Sequence, residues 1–306
     1  MKVLFVARYK KLGFLPYITE QAAALERTGI NIQFYPMRSN GVKGYLREIS
    51  EFRKTIKSLK PDLIHAHYGL CGLFANLQRR VPVVTTFHGS DINEPPVRKL
   101  SKIAIRLSAF SIFVSQEMIN LAKPKKNYAL IPCGINLEDY PIVEKTQARK
   151  QMGLKPEGVY VLFAGAFDNT VKNAPLAKAA VALLPGVELL ELHNYSRRQV
   201  ALLMQAADAF ILTSKIEGSP QVIKEALACG TPIVSVEVGD VKERVKGIDG
   251  CYLAESNPEE LSIALKNAIA YGKRTQGRTA IINNMLTNDI IAMHIAEIYE
   301  KLECGS

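Results

Sequence analysis

The feature that most constrains the fold is a regular alternation of two apolar patterns along the chain. Short runs rich in β-branched residues predict buried strands, and the longer segments between them have the apolar spacing of helices. Such alternation predicts a parallel sheet that carries helices on both faces. In the first half the predicted strands are Lys2–Ala7, Asn31–Tyr35, Leu63–Ala66, Val81–Phe87, Ser111–Ser115 and Tyr128–Ile131, and the predicted helices are 16–28, 44–60, 70–80, 97–108 and 116–122.

The alternation is interrupted once and then starts again. Pro132, Gly134, Pro141 and the polar stretch Glu144–Gly158 indicate a hinge between two domains. Beyond the hinge the predicted strands are Val159–Ala164, Val187–Leu192, Ala209–Thr213, Pro232–Val236 and Cys251–Ala254, and the predicted helices are 172–184, 197–206, 220–229 and 258–271.

The economical interpretation is an α/β chain of two doubly wound domains in tandem, residues 1–137 and 141–287. A last helical pattern, 288–302, is a candidate for packing back on the first domain. Ligands of such sheets bind beyond the carboxyl ends of the strands, which predicts a site in the cleft between the domains.

Composition narrows the environment in which the chain is expected to work. No apolar run reaches the ~18 residues that a membrane span needs. The apolar start of the chain is too short for a signal-peptide core, and it predicts a first buried strand instead. The cysteines are odd in number and lack C-x-x-C spacing, which favours reduced thiols in a cytoplasmic protein. They are Cys71, Cys133, Cys229, Cys251 and Cys304.

The net charge of +10 is unevenly distributed. Residues 1–150 contain 24 Lys+Arg against 11 Asp+Glu, and residues 151–306 contain 15 against 18. A half with net charge +13 attracts anionic partners, among which an anionic membrane surface and a phosphorylated acceptor are expected. No nucleic-acid partner is expected, because the chain has neither zinc-finger spacing nor an RNA-binding aromatic signature.

Several common motifs are absent from the sequence. There is no G-x-G-x-x-G after the first predicted strand, no G-x-x-x-x-G-K-(S/T) and no H-E-x-x-H. These absences remove the main support for a dinucleotide oxidoreductase, a P-loop NTPase or a zinc protease.

The most informative segment is EGSPQVIKEALACGTPIVSVEVGDVKERV, residues 217–245. It follows a predicted buried strand, so Glu217 and Gly218 are expected in a loop at the carboxyl end of that strand. Ser219 is a candidate helix N-cap, and Pro220 suits the first helical turn. The next two backbone amides, of residues 221–222 (Gln221 and Val222), then lie at the positive end of a helix dipole and are candidates for binding an anion.

Two carboxylates in this segment have a suggestive spacing. Glu217 and Glu225 are eight residues apart, roughly 12 Å along a helix. That span is similar to the distance from a ribose to the far side of a sugar joined to it by a diphosphate, and carboxylate oxygens accept readily from vicinal hydroxyls. From spacing alone, an ordinary surface helix with glutamates facing water is the favoured interpretation.

The same segment closely resembles the E-x7-E donor-binding motif of the family 4 retaining glycosyltransferases, which share the GT-B fold. Four further pieces resemble other family signatures in the expected order, so the resemblance covers nearly the whole chain. These are TFHGSD (Thr86–Asp91), IPCGIN (Ile131–Asn136), LFAG (Leu162–Gly165) followed by Lys172-Asn173, and QAADAFILTS (Gln205–Ser214). The resemblance implies two Rossmann-like domains with an interdomain cleft.

The resemblance also implies roles for individual residues. Glu217 is expected to contact the hydroxyls of the donor sugar, and Glu225 to hold the ribose. Lys172 is expected to neutralise the diphosphate, as a cation placed where negative charge develops. His88 is expected near the reacting sugar, where it contributes a hydrogen bond. The predicted donor-binding set is completed by Gly218, Ser219, Gln221, Val222, Gly165 and Gly13.

Structural alternatives remain beside these roles. Lys172 also fits a solvated loop lysine, and His88 fits a structural histidine. His65 and His67 alternate across a strand end, where packing and function are equally open.

The sequence departs from the family pattern at two positions. Ala166 occupies the place of an arginine that usually joins the lysine at the diphosphate. The first loop lacks the usual Gly-Gly pair, for which Gly13 is the nearest equivalent. The first departure raises the question of whether donor binding is weakened.

The resemblance implies a retaining transfer of a sugar from a nucleotide-diphosphate sugar to a carbohydrate or lipid-linked acceptor, in bacterial surface polysaccharide or glycolipid biosynthesis. Neither a cofactor nor a metal is expected, since no D-x-D is present. The expected location is cytoplasmic, including the inner face of the cell membrane as a peripheral protein. Two alternatives stay open: a nucleotide-sugar 2-epimerase of the same fold, and a catalytically weak nucleotide-sugar-binding protein.

Overall fold

The computed structural model describes residues 1–9, 13–39 and 41–304, except for several side chains at the start of the second helix. The chain divides into two compact units. Unit 1 comprises Met1–Gly134 and Asn288–Ser306, and unit 2 comprises Ile135–Thr287. Each unit is built on its own parallel sheet, which confirms the predicted α/β class.

Unit 1 contains a six-stranded sheet in the order β2-β1-β3-β4-β5-β6. Residues 3–7 of the first strand are fully buried, as a parallel sheet covered on both faces requires. The strands are β1 (Lys2–Arg8), β2 (Asn31–Met37), β3 (Leu63–His67), β4 (Val83–Phe87), β5 (Phe110–Phe113) and β6 (Tyr128–Leu130). The helices are α1 (Pro16–Arg27), α2 (Gly41–Leu59), α3 (Gly69–Asn76), α4 (Ser90–Asn93), α5 (Pro95–Leu107) and α6 (Gln116–Ala122).

Unit 2 contains a five-stranded sheet in the order β11-β10-β9-β7-β8. A 3₁₀ turn, Leu137–Asp139, precedes its first helix. The strands are β7 (Val159–Phe163), β8 (Val187–Glu191), β9 (Ala209–Leu212), β10 (Ile233–Ser235) and β11 (Cys251–Leu253). The helices are α7 (Lys145–Gln151), α8 (Ala174–Ala182), α9 (Arg197–Ala206), α10 (Gln221–Ala228), α11 (Val241–Val245), α12 (Pro258–Tyr271) and α13 (Gly277–Asn283).

The strand order of unit 2 positions its candidate site. The chain leaves β7 toward β8 on one side and returns to β9 on the other, so β7 and β9 are direct neighbours. Their junction is the switch point at which ligands of doubly wound sheets bind. The loops that follow β7 and β9 therefore meet at one edge of the sheet.

The last helix, α14 (Asn288–Cys304), belongs to unit 1 and packs against α1. Its apolar stripe, which includes Ile291, Ile295 and Tyr299, joins the same core cluster as Ile18 of α1. The stripe follows from apolar residues at helical spacing.

The polar stretch Glu144–Gly158 is part of unit 2, so its prediction as a hinge is wrong. It contains α7, whose Arg149 is buried and lies 2.8 Å from a carboxylate oxygen of Asp208. Lys145 pairs with the same carboxylate. The buried face of α7 contains a charged residue, and this is why the hydrophobic pattern did not reveal the helix.

Candidate functional site

The first component of the site is an ion pair between two of the predicted donor-binding residues. Lys172, in the loop after β7, donates through Nζ to Oε1 of Glu217, in the loop after β9, at 2.7 Å. The side chains are 20% and 16% exposed, so each charge remains accessible from one side. The predicted helix 172–184 begins at Ala174, which leaves Lys172 in the loop.

Backbone contacts hold the two loops together. The hydroxyl of Thr213, just past β9, donates to the carbonyl oxygens of Lys172 at 2.9 Å and Asn173 at 3.1 Å. The amide of Lys215 donates to the carbonyl of Val171 at 2.9 Å. The position of the Lys172 ammonium relative to the Glu217 carboxylate is therefore set by the sheet.

A glycine that the sequence interpretation missed supports the loop of Glu217. Gly239 has a φ of +56°, and a Cβ there would lie 2.6 Å from the carbonyl oxygen of Gly218. A side chain at this position would both strain the backbone and displace the loop. The sequence feature that could have indicated Gly239 is the V-G-D triplet within residues 217–245.

Ser219 does not cap a helix, contrary to prediction. Helix α10 begins at Gln221 and Pro220 is its N-cap residue. The Ser219 hydroxyl donates to Asp240 Oδ2 at 2.7 Å and accepts from Lys224 Nζ at 2.9 Å. Lys224 is fully buried and also donates to the side-chain oxygen of Gln221 at 2.7 Å. A buried ammonium requires acceptors, so the side chains of Ser219 and Gln221 accept hydrogen bonds from Lys224. Val222 is the second residue of α10.

Glu225 lies in the middle of α10 among polar partners. Burial raises the pKa of its carboxyl group, while a hydrogen bond from the Tyr140 hydroxyl and the charge of Arg197 act in the opposite direction. Arg197 donates to the same hydroxyl at 3.2 Å. The carboxylate is thus held on a buried tyrosine, within the unit that contains Lys172.

His88 lies in unit 1, in the loop after β4, and the carboxylate of Asp91 anchors that loop. Asp91 accepts from the amides of His88 at 3.1 Å, Gly89 at 2.9 Å and Gly69 at 3.1 Å. Burial raises the pKa of Asp91 to about 6, and these backbone hydrogen bonds oppose the shift. A carboxylate bound by three amides fixes the loop and therefore the base of the His88 side chain.

The half-buried His88 ring packs against aromatic groups and a thiol. Ring centroids of Tyr17 and Tyr68 lie 5.0 and 4.7 Å away, and the hydroxyls of these tyrosines are bonded to each other. His88 Nδ1 lies 3.6 Å from Cys133 Sγ, and His88 Nε2 lies 3.1 Å from His67 Nδ1. His88 is therefore held by several elements of unit 1 at once.

His65 and His67 point to the same face of β3, since residues two apart in a strand do so. Their rings stack with centroids 4.6 Å apart, and both side chains are fully buried. His65 bonds to the hydroxyls of Tyr299 and Thr86. Burial lowers the pKa of His65 to about 3 and that of His67 well below its ordinary value. Both rings are neutral at pH 7, and both ring nitrogens of His65 are engaged in hydrogen bonds inside the core.

The remaining predicted residues lie at the loop edges. Gly165 follows β7, and a Cβ there would lie 3.2 Å from Cγ of Lys172, so the glycine makes room for the lysine. Ala166 comes next and places no cation in this loop position. Gly13 has a φ of +104°, a conformation that favours glycine. The neighbouring Lys10, Lys11 and Leu12 lie outside the described residues.

Neither a metal-binding cluster nor a membrane-spanning helix is present in the described part of the chain. No group of three or more His, Cys, Asp or Glu side chains there is arranged to hold a metal ion. Among the helices described, none combines the length and apolar character needed to cross a bilayer.

Comparison with known proteins gives matches along most of the chain. The family profile Glycosyltransferase Family 4 matches residues 16–139, and Glycosyl transferases group 1 matches residues 147–270. The chain is 26% identical over 268 residues to the D-inositol 3-phosphate glycosyltransferase of Mycobacterium marinum, covering 71% of this chain and 57% of the relative. It is 29% identical over 230 residues to a putative teichuronic acid biosynthesis glycosyltransferase of Bacillus subtilis, covering 64% and 58%. The chain thus spans under two thirds of the length of these relatives.

Solved structures share the fold at low sequence identity. The sucrose-phosphate synthase of Thermosynechococcus elongatus matches with a TM-score of 0.84 and 17% identity, covering 100% of both chains. Anabaena HepE in complex with UDP-glucose matches with a TM-score of 0.78 and 19% identity, covering 98% of this chain and 100% of that one. These matches confirm the predicted GT-B fold class. With both family profiles matched in tandem, the chain belongs to the family 4 glycosyltransferases.

Proposed function

We propose that this protein is a glycosyltransferase that moves a sugar from a nucleotide-diphosphate sugar to an acceptor hydroxyl. The observation that carries the proposal is the pairing of Lys172 with Glu217 at the switch point of unit 2. A cation and a carboxylate at this place match the two chemical parts of such a donor, its diphosphate and its sugar hydroxyls. Family membership and the likeness to HepE, which was solved with UDP-glucose, support the same donor class.

In this proposal the ion pair is exchanged when the donor binds. The diphosphate pairs with the Lys172 ammonium. The Glu217 carboxylate, no longer bound to the lysine, then accepts hydrogen bonds from hydroxyls of the sugar. The first amides of α10, at the positive end of its dipole, add to the binding of the phosphates. Glu225 holds the ribose, and the buried Tyr140 orients its carboxylate.

We propose further that the anomeric configuration is retained by a front-face displacement. The departing phosphate oxygen accepts the proton of the acceptor hydroxyl while the new glycosidic bond forms on the same face. Lys172 stabilises the negative charge that develops on the leaving nucleotide, because it is already fixed by the loop contacts. This reaction needs no metal ion, since a lysine and a helix N-terminus perform the neutralisation.

A basic surface on unit 1 supports an anionic membrane as a further partner. Counted by units, unit 1 contains 22 Lys+Arg and 12 Asp+Glu, whereas unit 2 contains 17 of each. A groove of about 900 Å³ between α2 and the start of β4 is lined by Arg53, Lys54, Lys57, Lys60 and Arg80. Such a concentration of cations attracts anionic headgroups at ~1 kcal/mol for each residue near the surface.

Helix α5 presents a second group of basic and exposed apolar side chains on unit 1. Lys99, Ile103, Arg106 and Leu107 recur at helical spacing, and the two apolar side chains are 43% and 39% exposed. Exposed apolar residues beside cations are typical of helices that lie at a membrane interface. Arg98 of the same helix donates instead to the carbonyl oxygens of Ile92 and Asn93. This surface fits a peripheral enzyme of surface polysaccharide or glycolipid synthesis at the cytoplasmic membrane face.

Nucleotide release in the presence and absence of acceptor tests the activity. Purified protein is incubated with UDP-, GDP- and ADP-sugars, with and without a bacterial lipid and glycan extract. A transferase releases nucleoside diphosphate only when acceptor is present and forms a product with retained configuration. Interconversion of donor sugars without acceptor would indicate the 2-epimerase, and binding without either reaction would indicate a binding protein.

A further inference from the structure

The inference concerns His67, a buried histidine that is outside the proposed donor-binding set. Its Nδ1 lies 3.1 Å from Nε2 of His88. Its Nε2 is buried and has no hydrogen-bond partner among the described residues. The other nitrogen of His88 faces Cys133 Sγ at 3.6 Å. His67 thus has one ring nitrogen that contacts His88 and a second that has no hydrogen-bond partner among the described residues.

The position of the single proton on neutral His67 follows from this asymmetry. A proton on Nε2 would create a buried N–H donor without an acceptor. A proton on Nδ1 is donated to His88 and leaves only a lone pair unpaired. Buried N–H groups without an acceptor are rarer in proteins than buried acceptors without a donor. A buried donor that makes no hydrogen bond is costly. His67 therefore carries its proton on Nδ1.

The protonation of His88 then follows from that of His67. Because His88 Nε2 accepts the proton of His67, that nitrogen presents a lone pair. The proton of neutral His88 must lie on Nδ1, directed toward Cys133 Sγ. We propose that His67 is a positioning residue that holds His88 in the neutral tautomer protonated at Nδ1.

The groups around the two rings agree with this assignment. Tyr17 of α1 and Tyr68 after β3 face His88, and their hydroxyls bond to each other. The Asp91 carboxylate accepts from three backbone amides, and His65 stacks on the far side of His67. Burial lowers the pKa of both His65 and His67, so neither of these two rings carries a charge beside His88.

This tautomer gives His88 a defined use, which rests on the proposed transferase function. Sulfur is a weak acceptor, so the Nδ1–H of His88 loses little when it turns from Cys133 to a sugar hydroxyl. The unprotonated nitrogen is occupied by His67 and is unavailable as a general base. His88 then acts as a one-directional hydrogen-bond donor.

Nitrogen-15 NMR of the histidine rings tests the inference on the full chain without any substrate. The five histidines are assigned by single substitutions, and the tautomer is determined from long-range proton–nitrogen correlations at pH 7.5. The expected result is a protonated Nδ1 and an unprotonated Nε2 for His88. A wild-type His88 protonated at Nε2 would overturn the inference directly.

Two variants at position 67 separate positioning from packing. His67→Leu removes the donor, so His88 should move to the Nε2-protonated form or to a mixture. His67→Gln keeps an N–H near the same place and should keep the wild-type tautomer. An unchanged His88 in a folded His67→Leu protein contradicts the proposal. If His67→Leu does not fold, the wild-type spectrum and His67→Gln still decide.

Activity provides an independent measurement. With a donor and acceptor in hand, His67→Leu should lower kcat about tenfold, the effect of one oriented hydrogen bond, with KM for the donor little changed. His67→Gln should recover most of that loss. If no sugar nucleotide reacts or binds, the transferase proposal fails while the NMR result stands. If transfer occurs but the tautomer is wrong, only the role of His67 fails.

Discussion

Lys172 Nζ donates to Glu217 Oε1 at 2.7 Å, across the two loops that follow neighbouring strands of unit 2. The two side chains are 20% and 16% exposed, so the ion pair is partly buried and remains accessible to a ligand. An anion that takes the ammonium therefore releases the carboxylate for a second partner. In the proposed function, binding of the diphosphate is thereby coupled to binding of the sugar, and the predictions for Glu217 and Lys172 rest on that coupling.

Glu217→Gln should lower kcat by roughly 10- to 100-fold, as expected when a charge-assisted hydrogen bond is lost. Stability should change by less than about 1 kcal/mol, because Glu217 lies in a loop and its ion pair is partly exposed to water. Turnover is measured with the natural donor, and stability by urea unfolding. Glu237→Gln, in an exposed ion pair of the same unit, is the control and should leave both unchanged. Wild-type turnover in Glu217→Gln would remove this residue from the site.

Lys172→Ala should weaken binding of the free nucleoside diphosphate by about 10- to 100-fold, through loss of a charged donor to the phosphates. Isothermal titration calorimetry gives the affinity of both nucleoside diphosphate and intact donor. Lys215→Ala, an exposed lysine in the neighbouring loop, is the matched control.

The same measurement in a Glu217→Gln background shows whether Lys172 acts directly. If the lysine meets the diphosphate, Lys172→Ala still weakens binding when the carboxylate is absent. If affinity is unchanged in both backgrounds, the phosphate site lies elsewhere.

The two histidines of β3 should make unit 1 sensitive to acid. The folded pKa of His65 is about 3 and that of His67 is also far below its ordinary value of 6.5. Below pH 6.5 the unfolded chain binds protons at both residues and the folded chain does not, so stability is lost as pH falls. Asp91 acts in the opposite direction between pH 6 and about 4, since its folded pKa is raised to about 6. The two histidines lower the free energy of unfolding as pH falls and Asp91 raises it, so we expect a net loss of stability.

Urea unfolding between pH 4 and pH 8 measures this dependence. His65→Gln should have a shallower slope of unfolding free energy against pH than the wild type, whatever its absolute stability. His294→Gln, at an exposed histidine on α14, is the matched control for loss of a histidine. Parallel slopes for wild type and His65→Gln would show that His65 is not the group that titrates.

The sequence predicted those parts of the fold that depend on local apolar pattern. Strands such as β1 and β7 contain continuous apolar runs because both faces of a parallel sheet are buried. Family resemblance identified Lys172 and Glu217, and the strand order then explains why two residues 45 positions apart meet.

What the sequence did not predict depends on buried polar partners from distant elements. Helix α7 was missed because its buried Arg149 is satisfied by Asp208, 59 residues away. The Lys224 ammonium redirected Ser219 from the predicted cap, and neither residue has an unusual local pattern. The contact of His67 with His88 joins the ends of two strands, and no spacing rule within either strand reveals it.

The last prediction concerns the basic surface of unit 1. It lies where α2 ends and β3 and β4 begin, at the edge of the sheet opposite to the loop of His88. We therefore expect it to attach the protein to anionic vesicles without taking part in the reaction. Since each nearby cation contributes ~1 kcal/mol, a few residues acting together suffice, and raising the salt concentration should release the protein.

Co-sedimentation with anionic and neutral vesicles at low and high salt measures this attachment. Lys54→Glu combined with Lys57→Glu reverses two exposed charges on α2 and should lower binding to anionic vesicles by at least tenfold, because the change removes two attractions and adds two repulsions. Lys266→Glu combined with Lys273→Glu makes the same charge change on unit 2 and should have little effect. Turnover with a water-soluble acceptor should be equal in all three proteins, because neither pair lies near Lys172, Glu217 or His88 in the sheet topology. Wild-type protein that stays in the supernatant with anionic vesicles at low salt would contradict the membrane proposal and leave the transferase proposal intact.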